Sequence, residues 1–312
     1  MSAFATPIER GADGALTGPL RGPRQMLATQ TYGGHASIHD DATAQKLGFK
    51  GGTIEGPTHF TQFAPLCVAR WGEAWFETGC LSAHYRAPVF EGEEVRAILG
   101  PEPGDLASIR MERSDGTEIL VGTASVGRDT GPTALETRLA GLKTPDDLVI
   151  LKDVALGSTT GRIPIRMGRE DHMGDLYPFS LADKLKVITE PSPAYESDGA
   201  IIPVEMVSVL LSYQSRSEPF PARGPAVGLF ADQEIRFLHG PLRVGEDYEM
   251  VREVVALSGS RRTESMWVKT RVYRPGSDTV IATMLLNHAT MKASYAKYDA
   301  DYADLYGAPA HA

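Results

Sequence analysis

Ala83-His84-Tyr85-Arg86-Ala87-Pro88-Val89-Phe90-Glu91-Gly92-Glu93-Glu94-Val95 returns in a second spelling as Glu234-Ile235-Arg236-Phe237-Leu238-His239-Gly240-Pro241-Leu242-Arg243-Val244-Gly245-Glu246-Asp247-Tyr248. In both stretches an arginine sits early in a strand-like run, a proline follows, and Gly-Glu-acid makes a turn that opens the next strand. Each stretch comes after an apolar, helix-like segment. The repeat is too long for a solenoid, whose units run roughly 20–50 residues. The chain therefore reads as two copies of one domain, and a functional site has to be sought in each half.

Upstream of the first copy, Asp40 to Phe49 reads as a short helix, with Asp40 and Asp41 in its first turn and Gly48 near its end. Gly51-Gly52-Thr53-Ile54-Glu55-Gly56-Pro57 then opens an apolar helix from about Thr58 to Trp71. Pro57 suits a first helical position, whereas Pro65 lies inside the run and predicts a kink or an early break. Gln25 to Tyr32 reads as a first strand. Downstream, strands are expected over Leu81–Pro88, Glu94–Leu99, Ala107–Arg113 and Ile119–Gly127, with Ser114-Asp115-Gly116 as a hairpin turn.

The second half keeps the order. A strand at Ile163–Met167 leads to the loop Gly174-Asp175-Leu176-Tyr177-Pro178-Phe179-Ser180 and a polar helix from Leu181. An apolar segment, Ile201 to Tyr213, precedes strands near Val227–Leu238, Tyr248–Ser258, Arg262–Arg274 and Val280–Met291. One long helix followed by consecutive antiparallel strands is an α+β arrangement, with a curved sheet wrapped around the apolar helix. The expected organisation is an N-terminal arm over 1–24, loose by its turn signals, and a first domain over 25–127. A polar connector over 128–161, a second domain over 162–295 and a tail over 296–312 complete it.

At 312 residues the chain is long enough for two domains, each with its own core. A formal charge of -9 argues against a nucleic-acid partner, which calls for clustered Lys and Arg, although a local basic patch could still hold a phosphorylated ligand. The two cysteines, Cys67 and Cys80, are too few for a disulfide framework or a zinc cluster, and Cys67 reads as a small buried hydrophobe. The segment from Met1 to Arg24 has no apolar core of a signal peptide, and no run approaches the roughly 20 apolar residues of a membrane span. A cytoplasmic protein that meets neither membrane nor nucleic acid is expected.

The element order resembles the hotdog fold, and its duplication resembles the double hotdog members of the MaoC-like hydratase/dehydratase family. The resemblance rests on Gly48-Phe49 leading to Gly56, and on Ala87-Pro88-Val89-Phe90-Glu91-Gly92-Glu93 downstream. It covers residues 25–127 well and 160–292 more faintly. It implies reversible hydration of a 2-enoyl thioester, in which a base and an acid reach the substrate's second and third carbons. It also implies a backbone N–H at the helix start as donor to the thioester oxygen, a role that would fall to Gly56. The family's Asp-x-Asn-Pro-x-His loop is incomplete in both halves. Gly33-Gly34-His35-Ala36-Ser37-Ile38-His39 keeps the histidine as His39, with Gly34 at the aspartate position, when aligned on its end; without a gap neither residue is kept. The second loop keeps Asp175 and the proline but has Ser180 for the histidine. Equivalent loops of two halves related by a pseudo-twofold axis serve different sites, so His39 and Asp175 are not expected to complete one pair.

Glu55 stands where the family has a histidine, at a helix start that favours an anion. His59, four residues on, shares its helix face and would make an acid/base couple with it. Each has a plain alternative, a helix-start acid and a satisfied core histidine. His39, His35 and Asp175 are further catalytic candidates, with an exposed turn and an Asx-type turn as their plain alternatives. Arg86 and Arg236 hold matching positions and would contact phosphate or form structural pairs. Glu205 follows Val204, the counterpart of Gly56, and valine there hinders a close thioester approach, which favours the first half as the working one. No metal and no cofactor are expected, the spacing of His35, His39 and His59 notwithstanding.

The reading is thus a tandem double hotdog, a lyase acting on an acyl thioester such as an enoyl-CoA. His39, Glu55 and His59 form the acid/base set and Gly56 the oxyanion donor. A thioesterase using Glu55 or Glu73, or a binding protein for acyl-CoA or another apolar ligand, are the alternatives. Pairing into a homo-dimer or larger homo-oligomer is expected.

Overall fold

A computed structural model describes residues 3–32, 35–128, 130–197 and 199–307. Gly33 and Gly34 of the first loop lie outside the described residues, as do the last five residues of the tail.

The first half runs from β1 (Glu9–Arg10) and β2 (Leu16–Thr17) through a short hairpin, β3 (Thr31–Tyr32) with β4 (His35–Ala36), to helix α1 (Asp41–Lys46). Asp40 caps α1 by accepting from the Thr43 N–H at 2.8 Å. The apolar segment begins as a 3-10 helix, Gly56–Phe63, and becomes α-helical only at α2 (Ala64–Trp71). The change falls at Pro65, which has no N–H to offer a preceding turn and so starts a helix better than it continues one. After α3 (Ala74–Thr78) come β5 (Gly79–Tyr85), β6 (Val95–Leu99), β7 (Leu106–Arg113) and β8 (Glu118–Val126).

Helix α4 (Ala134–Ala140) follows, and the second half then repeats the first with β9 (Ile163–Arg166), α5 (Leu181–Leu185) and α6 (Val204–Leu210). Its long strands are β10 (Gly228–Phe237), β11 (Asp247–Gly259), β12 (Thr263–Tyr273) and β13 (Val280–Met291), and α7 (Tyr298–Tyr306) closes the described chain.

All eleven long-range strands form one antiparallel sheet in the order β1-β2-β6-β7-β8-β5-β10-β13-β12-β11-β9. The order from β6 to β5 is mirrored from β10 to β11, as a duplication about the β5–β10 seam requires. At that seam Ser82 pairs with Glu234 and Leu81 with Ile235. The turn glycine of each repeat, Gly92 and Gly245, has φ of 86° and 80°, where a side chain would be strained. These two turns open β6 and β11, so the motif that reveals the duplication encodes the same corner twice. The two apolar helices share one interior: Phe60, Phe63 and Leu66 of the first half lie in one buried cluster with Met206, Val207 and Leu210 of the second.

Three segments differ from their sequence reading. The arm expected over 1–24 is not loose over its described residues, 3–24: Phe4 and Leu16 are buried, and Leu16 pairs with Leu99 of β6. Of Gln25–Tyr32 only Thr31–Tyr32 is strand, because Gln25 turns inward and donates from Nε2 to the Thr53 carbonyl. The connector carries α4, whose capping box joins Thr133 and Glu136. Its start lies over the seam, with the Leu135 N–H donating to Ser82 Oγ and Thr133 Oγ1 to Glu234. No helix among the described residues is long and apolar enough to cross a membrane.

Gly122 of β8 faces Ser82 so closely that a Cβ there would stand 1.8 Å from the Ser82 carbonyl oxygen. Gly122→Ala is expected to cost about 2–3 kcal/mol through backbone displacement at β5, next to the seam. Urea unfolding would measure it, with Gly22→Ala, whose Cβ would meet only the Glu93 carbonyl oxygen at 3.9 Å, as the exposed comparison.

Candidate active site

The start of the 3-10 helix faces a cavity of about 220 Å³. His39, Glu55, Gly56, His59 and Arg86 line it together with Tyr32 and Tyr85. Its far wall comes from the other half, Gly228 to Ala231 of β10. Four of the expected catalytic and oxyanion residues thus converge because the loop before α1, the helix entrance and the end of β5 meet there.

Glu55 is half-buried at the position that precedes the first turn, with no side-chain cap of its own. Its Oε1 accepts from the Tyr177 hydroxyl at 3.1 Å. Burial pushes the carboxyl up to about 7, against the pull of Lys184 and the Tyr177 hydrogen bond; Glu205 adds to the rise. Such a group is close to half ionised at neutral pH and serves in either protonation state.

Behind it lies a buried charge pair. Lys184 Nζ of α5 stands 2.8 Å from Glu205 Oε2 of α6, and both side chains are almost fully enclosed. Thr61 Oγ1 donates to Glu205 Oε1 at 2.9 Å, and Lys184 Nζ donates to Thr58 Oγ1 at 3.3 Å. Glu205 is therefore held by a lysine and a threonine, and it lines neither cavity described here. One ammonium serves two carboxylates, and the one in direct contact takes most of its charge.

His39 Nδ1 lies 2.6 Å from the Thr53 carbonyl oxygen. A carbonyl only accepts, so Nδ1 carries the proton and Nε2 keeps its lone pair. Burial pushes this imidazole down to about 4, with the Thr53 contact opposing. His59 is buried, and burial, helped by Lys184, pushes it down to about 3. Its Nδ1 has no hydrogen-bond partner although it is enclosed. Both histidines are neutral at pH 7 and present a ring nitrogen that can accept.

Gly56 is fitted to its place by Tyr85, whose ring atoms would lie 2.6–2.8 Å from an added Cβ. Arg86 stays exposed at the cavity edge, 3.2 Å from Glu118, whereas its counterpart Arg236 is buried and paired with Glu136 at 3.4 Å. His35 lines a second cavity instead of this one, stacked on Tyr32 with ring centroids 5.8 Å apart. The three histidines 35, 39 and 59 therefore do not share one chamber, and among the described residues no three His, Cys, Asp or Glu side chains gather around a cation position. Glu73 is exposed and lines neither cavity.

Asp175 is exposed and lines neither cavity; its carbonyl accepts from the Thr31 N–H at 3.1 Å. The loop that carries it nevertheless reaches across, since Tyr177 is the residue that meets Glu55 and the Leu176 carbonyl accepts from Gln30. The expectation that equivalent loops serve separate sites thus fails for this loop, although not through its aspartate. Tyr177 and Lys184 are the residues that sequence reasoning missed. A tyrosine beside the loop proline and a lysine inside a short helix carry no pattern of their own, and only the packing of α5 against the first half brings them in.

No protein-family model matches the sequence, and no curated protein matches it. Solved structures do match. A Mycobacterium tuberculosis protein described as having a double hotdog fold superposes with a TM-score of 0.54 at 12% identity, over 92% of this chain and 96% of that one. The chain has the double hotdog fold. A Chloroflexus aurantiacus protein described as a MaoC domain dehydratase follows at TM-score 0.49 and 13% identity, over 92% and 95% of the two chains. A Thermobifida fusca protein described as a thioesterase II gives 0.42 and 13%, over 92% and 96%.

Two outcomes follow from the buried charges. Lys184→Met leaves Glu205 enclosed without a counter-charge and is expected to cost about 3–5 kcal/mol, while Lys184→Met with Glu205→Leu recovers most of it; urea melts of the three proteins measure this. Glu55 keeps its proton longer in the folded chain, about 7 against an ordinary 4.5. Its contribution therefore favours the fold at low pH and is lost as pH rises through about 7. Glu55→Gln should raise the melting temperature at pH 8.5 by a few degrees and change it little at pH 4.5; a gap that is constant with pH would contradict the raised pKa.

Proposed function

We propose that the first cavity is the active site of a MaoC-like hydratase or dehydratase acting on an acyl thioester. The observation that carries this reading is Glu55, a carboxyl with a pKa of about 7 set at the cavity wall beside the start of the central helix. The Gly48-Phe49 to Gly56 segment and the Pro88-Val89-Phe90-Glu91-Gly92 turn, through which the chain resembles that family, lend further support.

In the hydration direction, ionised Glu55 takes a proton from water as the oxygen bonds to C3 of a 2-enoyl thioester. The electrons of the double bond move towards the carbonyl, and the Gly56 N–H donates to that oxygen as charge builds on it. Glu55 then returns the proton to C2. The second hydrogen of the water makes a hydrogen bond to one of the neutral imidazoles, His39 or His59, and Tyr177 keeps Glu55 oriented. Dehydration runs the same steps backwards. Arg86 at the cavity edge suits a phosphate of coenzyme A.

Glu55 alone would also suit a thioesterase, since a carboxylate near neutral pKa can activate water towards the carbonyl carbon. The test follows enoyl absorbance and free thiol together over crotonyl- to decenoyl-CoA. Loss of the enoyl signal without thiol release, reduced about 10²-fold or more by Glu55→Gln, is the expected result. Its kcat/KM should rise with pH through about 7, as the base loses its proton. Thiol release in step with substrate loss would establish hydrolysis instead.

A further inference from the structure

Beyond the first cavity lies a second of about 310 Å³ that shares Gln30, Tyr32 and Phe230 with it. A molecule extended past Tyr32 and Phe230 would enter it. Its walls include Leu176, Leu211, Met266, Val268, Met284 and Leu286, suited to an aliphatic stem. Among the described lining residues its charged side chains are all cationic, Arg216, Arg223 and Arg252, with no aspartate or glutamate.

Arg223 already has counter-charges, Asp153 at 3.1 Å and Asp301 at 3.5 Å. The other two do not. Arg252 is 9% exposed and donates to the main-chain carbonyls of Ser215 and Glu218, at 2.7 Å and 3.4 Å. It also lies over the Phe220 ring at 5.0 Å. Arg216 lies over the Tyr32 ring at 5.5 Å, on the wall between the two cavities. Neither guanidinium forms an ion pair among the described residues. The carboxylate that acts on Arg252 most directly, Glu218, is exposed and accepts from the Gly161 N–H at 2.7 Å. His288, beside Phe230, is neutral at pH 7 and supplies no further charge.

An enclosed guanidinium without a counter-ion is costly, several kcal/mol by the usual measure of buried charge. Unsatisfied polar groups, Ser212 Oγ among them, stand with it. Thr270 Oγ1 and Gln30 Oε1 are buried without hydrogen-bond partners, and both residues line this cavity. A hydroxyl, two unpaired guanidinium groups and an apolar stem channel together describe the terminus of a ligand.

We propose that the second cavity binds a carboxylate at the far end of the acyl chain, so that the substrate is the monothioester of a dicarboxylic acid. The proposal rests on the first cavity holding the thioester. A carboxylate fits better than a coenzyme A phosphate here, because the apolar walls between the cavities match methylene groups and because Arg86 already stands at the outer edge of the first cavity. Arg252 and Arg216 then hold the carboxylate as Thr270 donates to it.

The test is equilibrium binding, which does not depend on turnover. Calorimetry compares hexanoyl-CoA, its ω-carboxy counterpart hexanedioyl-CoA, neither of which has a double bond to hydrate, and coenzyme A alone, with wild type, Arg252→Met and Arg216→Gln. The wild type is expected to prefer the ω-carboxy thioester by about ten- to a hundredfold, the worth of a charge-assisted hydrogen bond. That ratio should fall towards one in Arg252→Met and drop severalfold in Arg216→Gln, the exposed variant that keeps the test open if the buried one does not fold. Equal affinities in wild type would overturn the proposal, as would a ratio unchanged in the folded variants. So would a loss for coenzyme A alone as large as that for the ω-carboxy thioester, which would assign the cavity to phosphate. Failure of the proposed chemistry has a different signature: ω-carboxy preference that depends on Arg252, with no turnover of the corresponding 2-enoyl thioesters.

Discussion

The pairing of β5 with β10 is the constraint on which the remaining architecture depends. Once Ser82 and Glu234 are neighbours across one ladder, the two sheets cannot close separately, and the two apolar helices must share the space beneath a single sheet. Polar groups at the seam make the pairing specific. Asp232, fully enclosed, accepts from Asn287 at 2.7 Å and meets His84 at 2.7 Å and Arg138 at 3.1 Å, so three elements on either side of the seam converge on one carboxylate. A sheet slipped by one residue would turn Asp232 to the opposite face and strand those partners. Register at the seam is therefore fixed by charge as well as by apolar pattern.

The same closeness of the halves sets the electrostatics of the candidate site. Lys184 and Tyr177 come from the second half, Glu55 from the first, and Glu205 from the helix that packs on the first half's 3-10 turn. With the ammonium 2.8 Å from Glu205, Glu55 receives only a share of its field. Burial raises the Glu55 carboxyl and Lys184, together with the Tyr177 hydrogen bond, opposes that rise, which leaves it at about 7. A duplicated chain can reach this balance only by making its two halves unlike, with Gly56 and Glu55 kept at one helix start and Pro203 and Val204 standing at the other.

Much of this was legible in the residues. The turn glycines Gly92 and Gly245, the hairpin at Ser114-Asp115-Gly116 and the alternation of the long strands mark the sheet with small errors at the ends, because period and turn chemistry are local signals. Glu55, Gly56, His59 and His39 could also be picked out, since a helix entrance and the loop before it are contiguous in sequence. The 1–24 segment and α4 could not. Their order comes from partners far along the chain: Arg21 pairs with Glu190 at 2.8 Å, and Arg138 reaches Asp232. Asp175 misled for the same reason. The loop meets Glu55 through the Tyr177 hydroxyl, while Asp175 itself is exposed and only its backbone carbonyl bonds inward, to the Thr31 N–H.

The asymmetry extends to the use of the second half's interior. At the second helix start Val204 stands where the first half has Gly56, and Glu205, the next residue, is paired with Lys184. The second cavity lies under the segment between α6 and β10, where Ser215, Arg216 and Phe220 form the roof. An interior with no ligand to hold would be expected to fill with apolar side chains, because closing a void recovers dispersion contacts at little risk to the fold. It has kept Arg252 enclosed, with carbonyls as its hydrogen-bond partners. A methionine or leucine would pack that position without any desolvation cost, so the enclosed guanidinium costs stability. Such a residue is explained by what enters the cavity, and the second half is then best understood as the part of the protein that measures the far end of a ligand whose reactive end lies in the first.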